Sequence, residues 1–221
     1  MRNFDSRKRS TSSLGWTLVA STCVALAMGG SIWKATAGFR ALALDDVRQI
    51  EFAGRQAPLP RATLTADDGR HFDIRQLAGR VAIVEFFYTR CPTVCSTLGS
   101  VLATVQREYP DAIAAGRLQL LSISFDLAHD DSVAVAAYRR RFGSPAGWLA
   151  AIPDGPGSLR ALQRTFGFLI QDTGDITVAH SSKLYLISPH GVIVGAFDAD
   201  ESRELSAAVH GLLRPVGMQG V

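Results

Sequence analysis

The stretch VAIVEFFYTRCPTVC, residues 81–95, joins a run of β-favouring apolar residues to a closely spaced cysteine pair. Apart from Glu85, its first eight residues are apolar without alternation, which is typical of a strand buried on both faces of a sheet. Cys91 and Cys95 follow at once, and apolar residues then recur at helical spacing as far as Pro110. The stretch therefore predicts a central strand that leads into a cysteine pair at the start of a helix.

The flanking sequence extends this stretch to an α/β fold. Ahead of it, two short extended runs flank the turn at residues 67–69 and predict a hairpin. The elements behind it are a strand at 118–125, helices at 131–142 and 157–166, strands at 183–187 and 192–196, and a helix at 202–213. We expect Ser158 to cap the helix at 157–166. This order of elements predicts a thioredoxin-like fold.

Cys91 and Cys95 form the candidate site. A structural disulfide between them would close a very short loop and add little stability through chain entropy. Residues four apart on a helix lie about 5–6 Å apart at Cβ, whereas disulfides prefer about 3.8 Å. The pair can therefore oxidise with modest adjustment, and when reduced it can hold a soft cation. Thiolates with an imidazole suit Cu(I), so a third ligand is expected. The helix start also predicts lowered cysteine pKa values.

Two segments resemble the Sco/SenC family. Residues 86–95, FFYTRCPTVC, are similar to its copper-binding signature T-x-C-P-x-V-C. Residues 180–191, HSSKLYLISPHG, are similar to its motif H-S-x-x-x-Y-L-I-x-P-x-G. The resemblance spans about residues 57–213 and implies a thioredoxin-like domain that binds a copper ion.

The family resemblance assigns the metal ligands as Cys91, Cys95 and His180. His180 precedes the penultimate strand, in a loop that faces the cysteine pair in thioredoxin-like folds. Asp126 resembles the acid of the family's S-x-D-P loop, and it either lies near the site or caps the next helix. Thr93 stands where the family often has Asp, and the loss of that charge would alter the potential of the metal.

The resemblance implies a copper metallochaperone for assembly of the binuclear copper centre of cytochrome c oxidase. Copper would pass by ligand exchange without turnover of a substrate. The expected partners are the copper subunit of the oxidase or another copper chaperone. A peroxiredoxin is disfavoured because Thr89 is misplaced relative to Cys91.

Glu85 supports an alternative function. A buried acid is costly unless it is partnered, and thioredoxin-like oxidoreductases carry an acid six residues before their first active-site cysteine. In this alternative, the chain is an exported thiol-disulfide oxidoreductase that keeps copper-site cysteines of a partner reduced. Its redox pair would be Cys91 and Cys95, with Glu85 as proton relay. An ion pair or a solvent-facing edge position is the simpler alternative for Glu85.

The N-terminal segment predicts export. Residues 14–33 carry no charge, and at about 1.5 Å per residue they match a bilayer core of about 30 Å. Four basic residues precede them, which places the N-terminus in the cytoplasm and the remainder outside. We predict a single-pass helix in the cytoplasmic membrane with the C-terminal domain in the periplasm or an equivalent compartment. The alternative is a signal peptide cleaved after the Ala-Thr-Ala at residues 35–37.

The charge distribution excludes a nucleic-acid partner. The first 37 residues hold five of the 23 Lys+Arg and one of the 20 Asp+Glu, leaving 18 basic and 19 acidic residues. The pI of about 9.0 thus reflects the basic N-terminal segment rather than a basic binding surface.

The sequence also predicts the organisation of the chain. It predicts a basic cytoplasmic segment followed by an anchor or signal peptide at 1–37, a linker at 38–60, the thioredoxin-like copper-binding domain at 61–214 and a flexible tail at 215–221.

Overall fold

The computed structural model describes most of the chain and divides it into two compact units, Met1–Ile50 and Glu51–Val221. The described residues are 11–35, 56–91, 94–143, 147–168, 170–172, 177–179 and 183–214. Most of the predicted linker and all of the predicted tail at 215–221 lie outside these ranges.

The first unit contains helix α1, Thr11–Ala35. The hydroxyls of Thr22 and Ser31 donate to helix carbonyls four residues earlier, each at 2.8 Å. Within the part of the chain that the structure describes, no helix is both long enough and apolar enough to cross a membrane. The transmembrane helix predicted over residues 14–33 is therefore not supported.

The second unit alternates strands and helices. Its described strands are β1 (Thr63–Ala66), β2 (His71–Asp73), β3 (Val81–Phe87), β4 (Leu118–Ser124), β5 (Trp148–Pro153), β6 (Ile170–Asp172), β7 (Thr177–Ala179), β8 (Leu184–Ile187) and β9 (Ile193–Phe197). Its described helices are α2 (Val94–Glu108), α3 (Pro110–Ala114), α4 (Ser132–Arg140), α5 (Pro156–Phe166) and α6 (Ser202–Leu213). A short 3-10 helix, Ile74–Leu77, follows β2.

Seven strands form one mixed sheet in the order β2-β1-β5-β4-β3-β8-β9. β3 pairs in parallel with β4 and antiparallel with β8, so it lies inside the sheet. Every residue of β3 is buried, as the uninterrupted apolar run predicts. The predicted α/β fold and its hairpins at β1–β2 and β8–β9 are confirmed.

Helices cover both faces of the sheet, and residues 81–84 of β3 alternate between two separate apolar clusters. Phe86 lies in the first cluster, where its ring centroid is 4.2 Å from that of Phe168. Val81 and Ile83 lie in the second cluster with residues of α2 and α6. Glu85 follows Ile83 by two positions, so its side chain points to the α2 side of the sheet.

Helix α2 packs closely against α4 and the residues after it. A Cβ placed on Gly99 would lie 2.4 Å from the ring of Phe142 and 2.9 Å from the hydroxyl of Tyr138. Only a residue without a side chain therefore fits at this approach. The close packing fixes the first turns of α2, which carry Cys95.

Several elements differ from the sequence predictions. β5 was not predicted, nor was the two-stranded ribbon of β6 and β7. Ser158 does not cap α5, because Gly155 is the N-cap residue and makes no side-chain cap bond. Instead, the Ser158 hydroxyl accepts a hydrogen bond from the backbone N–H of Thr63 at 3.2 Å. The hydroxyl thus ties α5 to the start of β1.

Candidate metal and thiol site

The structure brings Cys91 and Cys95 together at the beginning of α2. Cys91 ends a turn that its own N–H closes by donating to the carbonyl of Tyr88 at 3.1 Å. The backbone N–H of Cys95 donates to the Cys91 sulfur at 3.4 Å. Both thiols are free, with Cys91 partly exposed and Cys95 buried. The Cys91 sulfur therefore caps one of the N–H groups that a helix start leaves without a helical partner.

Burial governs the protonation of the inner cysteine. It raises the pKa of the Cys95 thiol, and the hydrogen bond with Cys91 raises it further. The lowered pKa predicted from the helix start is thus wrong for Cys95, because loss of water outweighs the helix dipole. Burial, followed by the charge of the neighbouring thiols, also raises the pKa of Tyr88.

Glu85 is fully buried in the central strand. Its Oε1 accepts hydrogen bonds from the Ser122 hydroxyl at 2.5 Å and the Tyr138 hydroxyl at 3.1 Å, while Oε2 has no hydrogen-bond partner. Burial raises the pKa of Glu85 to about 7, although both hydrogen bonds act to lower it. The solvent-facing position considered for Glu85 is therefore wrong, and the side chain is a buried acid that takes up a proton near neutral pH.

Tyr138 connects this acid to the cysteine pair. Its hydroxyl lies 2.7 Å from the backbone carbonyl of Cys95, in addition to its contact with Glu85. A phenol has one proton to donate, so it satisfies one of these acceptors at a time. Protonated Glu85 can donate to the Tyr138 oxygen and leave the phenol proton for the Cys95 carbonyl. Sequence reasoning missed Tyr138, because the contact joins residues 43 positions apart.

Asp126 lies beside the residue that precedes Cys91. Its carboxylate accepts a hydrogen bond from the Arg90 guanidinium at 2.9 Å and lies 2.8 Å from the His129 Nδ1. Burial opposes ionisation of Asp126, but the bonds from His129 and Arg90 lower its pKa overall. Asp131 caps α4 by accepting from the Ala134 N–H at 2.7 Å. The capping alternative for Asp126 is therefore wrong.

His180 lies outside the described residues, as does Thr93. The described residues contain no group of three or more His, Cys, Asp and Glu side chains that could hold a metal ion. Two other histidines lie in structural positions: His71 is 3.0 Å from a carboxylate oxygen of Asp154, and His190 is an exposed turn residue. The third metal ligand therefore stays a prediction.

The chemistry of the described sulfur atoms fits a soft metal ion. Two free thiols lie at one helix start, and the outer thiol is partly open to solvent. Thiolate sulfur prefers Cu(I) or Zn(II) to hard cations. The same two thiols can also be oxidised to a disulfide. The geometry of the pair thus supports metal binding and thiol-disulfide exchange.

Comparison with known proteins finds one family. The SCO1/SenC family model matches residues 55–213. A candidate copper-binding protein of Stutzerimonas stutzeri is 28% identical over 160 residues, which cover 69% of this chain and 75% of that protein.

Solved structures of this family share the fold. Bradyrhizobium japonicum ScoI with copper bound superimposes with a TM-score of 0.61 at 20% identity, covering 71% of this chain and 100% of that one. BsSco, a member of the Sco family of cytochrome c oxidase assembly proteins with an identified disulfide switch, gives a TM-score of 0.59 at 18% identity. This match covers 72% of this chain and 96% of that one.

Proposed function

Because the chain belongs to the SCO1/SenC family, we propose that it is a copper metallochaperone for the binuclear copper centre of cytochrome c oxidase. The observation that carries the proposal is the pair of free thiols, Cys91 and Cys95, set together at the start of α2. A relative is described as a candidate copper-binding protein, and a structural neighbour belongs to an oxidase assembly family. Copper is the cargo in this proposal.

The proposed ligands are the sulfur atoms of Cys91 and Cys95 and the imidazole of His180. Two thiolates and one imidazole leave copper with few ligands, so a cysteine of the recipient can bind before the original ligands leave. The partly exposed Cys91 is the ligand that such a group reaches first. The recipient is the copper subunit of the oxidase or another copper chaperone.

We also propose that residues 56–214 function outside the cytoplasm. The support is the cluster of basic residues before an uncharged stretch at 14–33. An alkaline phosphatase fusion after residue 60 should be active in cells. An inactive fusion, together with an active cytoplasmic reporter at the same position, would reverse this assignment.

Buried Glu85 favours a second candidate function, the reduction of a partner's copper-site cysteines. Cys91 and Cys95 would lose two electrons and two protons to form a disulfide, while the partner disulfide takes them up and becomes two thiols. Glu85 would hold or release a proton close to the cysteine pair, and Tyr138, which bonds to Glu85 and to the backbone carbonyl of Cys95, ties this acid to the start of α2. The two functions are compatible, because a disulfide cannot hold copper and the redox state would control loading.

Two substitutions separate these functions. His180→Ala should lower copper affinity by about 10-fold or more, because metal ligands contribute directly to binding, while the Cys91–Cys95 disulfide still forms and is reduced. Glu85→Gln should leave copper affinity within about twofold and slow thiol-disulfide exchange by about 100-fold, the lower end of the range for general acid-base catalysis. Copper affinity is measured by anaerobic chelator competition, and exchange by stopped-flow reaction with a model disulfide.

Oxidase assembly at limiting copper decides between the two functions. If copper delivery is the main function, cells carrying His180→Ala should fail to assemble the oxidase and cells carrying Glu85→Gln should assemble it. Full assembly with His180→Ala and failure with Glu85→Gln would instead support the reductase. His190→Ala is the matched control, since His190 is an exposed turn residue and should behave as wild type in every assay.

A further inference from the structure

The turn that leads into Cys91 is held by two acidic residues of another loop. Thr89 and Arg90 are the central residues of this turn, which the bond from the Cys91 N–H to the Tyr88 carbonyl closes. Asp130 binds Thr89 and Asp126 binds Arg90. Both acids lie between β4 and α4, more than 30 residues further along the chain.

Asp130 makes the more extensive set of contacts. Its carboxylate accepts from the Thr89 backbone N–H at 3.0 Å and from the Thr89 hydroxyl. The Ser124 hydroxyl donates to it at 2.5 Å. Only 7% of Asp130 is exposed, so these three neutral donors hold a buried carboxylate. Charge-assisted hydrogen bonds of this kind are stronger than neutral ones, and their loss leaves buried donors unsatisfied.

Asp126 acts on the turn less directly. It binds the side chain of Arg90, which is about half exposed, and makes no contact with the main chain of the turn among the described hydrogen bonds. Its own carbonyl accepts from the N–H groups of His129 and Asp130, at 3.2 and 2.9 Å. These bonds fold the loop so that Asp130 points back to Thr89. Asp130 is therefore the residue that fixes the backbone ahead of Cys91.

We propose that Asp130 is a positioning residue for the cysteine pair. By holding both the N–H and the hydroxyl of Thr89, it fixes the turn that places the Cys91 sulfur against the Cys95 N–H. It thereby sets both the copper affinity of the pair and the equilibrium between dithiol and disulfide. The copper part of this inference rests on the proposed function, whereas the dithiol-disulfide part does not.

The test compares Asp130→Ala with Asp131→Ala in the full chain. Asp131 is the matched control, because it caps α4 and takes no part in the turn. Asp130→Ala should lower Cu(I) affinity by about 10- to 100-fold, the usual cost of losing a residue that orients a metal ligand. It should also shift the dithiol-disulfide equilibrium against glutathione by about tenfold, or ~30 mV. Asp131→Ala should stay within about twofold of wild type on both measurements.

A second pair of variants covers the case in which Asp130→Ala fails to fold. Thr89→Val removes the hydrogen bond from the Thr89 hydroxyl and keeps the shape of the side chain. It should therefore shift the Cu(I) affinity and the dithiol-disulfide equilibrium in the same direction as Asp130→Ala, by a smaller factor. Thr89→Ser keeps the hydroxyl and should restore wild-type values. The inference is overturned if Asp130→Ala matches Asp131→Ala, or if Thr89→Val matches Thr89→Ser. If wild type binds no copper, the proposed function fails, and the glutathione measurement still decides the role of Asp130.

Discussion

Cys91→Ala and Cys95→Ala are each expected to abolish tight copper binding. Either change leaves one sulfur at the start of α2, and Cu(I) loses one of two soft ligands that no nearby described residue can replace. Anaerobic titration of the reduced full chain with Cu(I), followed by metal quantification after desalting, should give one copper per monomer for wild type and almost none for either variant.

The third cysteine of the chain supplies the control for this titration. Cys23 is an exposed residue of α1, outside the unit that contains the site. Cys23→Ala should therefore bind copper as wild type does. Stoichiometric copper in both Cys91→Ala and Cys95→Ala would show that the metal site lies elsewhere.

Glu85→Gln is expected to remove a large pH dependence of stability. The pKa of Glu85 rises from 4.5 to about 7 on folding, so between these values the folded chain holds more protons than the unfolded chain. The stabilisation from this proton is fully present below pH 4.5 and is lost as the pH rises through about 7. At 1.36 kcal/mol per unit of pKa shift, the free energy of unfolding falls by about 3 kcal/mol over this pH range.

Urea unfolding of reduced protein at a series of pH values measures this effect. The difference in unfolding free energy between wild type and Glu85→Gln should change by about 3 kcal/mol between pH 4.5 and pH 8, in favour of the variant at high pH. Glu204→Gln is the matched control, because Glu204 is exposed on α6 and its variant should keep the wild-type profile. Parallel profiles for wild type and Glu85→Gln would mean that Glu85 does not take up a proton on folding.

The central strand and the cysteine pair could be predicted from sequence because their signals are local. An apolar run of this length has few alternatives to a buried strand, and β3 matches it. Helix α6 begins and ends where its pattern predicts. β5 has weaker signals, since two of its six residues are alanine and it ends at Pro153, and its place in the sheet depends on pairing with β1 and β4.

The surroundings of the cysteines could not be predicted from local sequence. The bonds from Thr89 to Asp130 and from Tyr138 to the Cys95 carbonyl join residues about 40 positions apart. Nothing in a single sequence pairs a given acid or phenol with a partner at such a distance. The raised pKa of the Cys95 thiol likewise comes from burial, which depends on the packing of α2 rather than on its first residues.

The ligand set of the copper-loaded wild type tests the central claim most directly. Reduced full-length protein is loaded anaerobically with one equivalent of Cu(I), and X-ray absorption at the copper edge counts the ligand atoms. Binding by Cys91, Cys95 and His180 predicts two sulfur atoms and one imidazole nitrogen per copper. Copper that does not stay bound, or a spectrum without sulfur ligands, would contradict the assignment of this chain as a copper carrier.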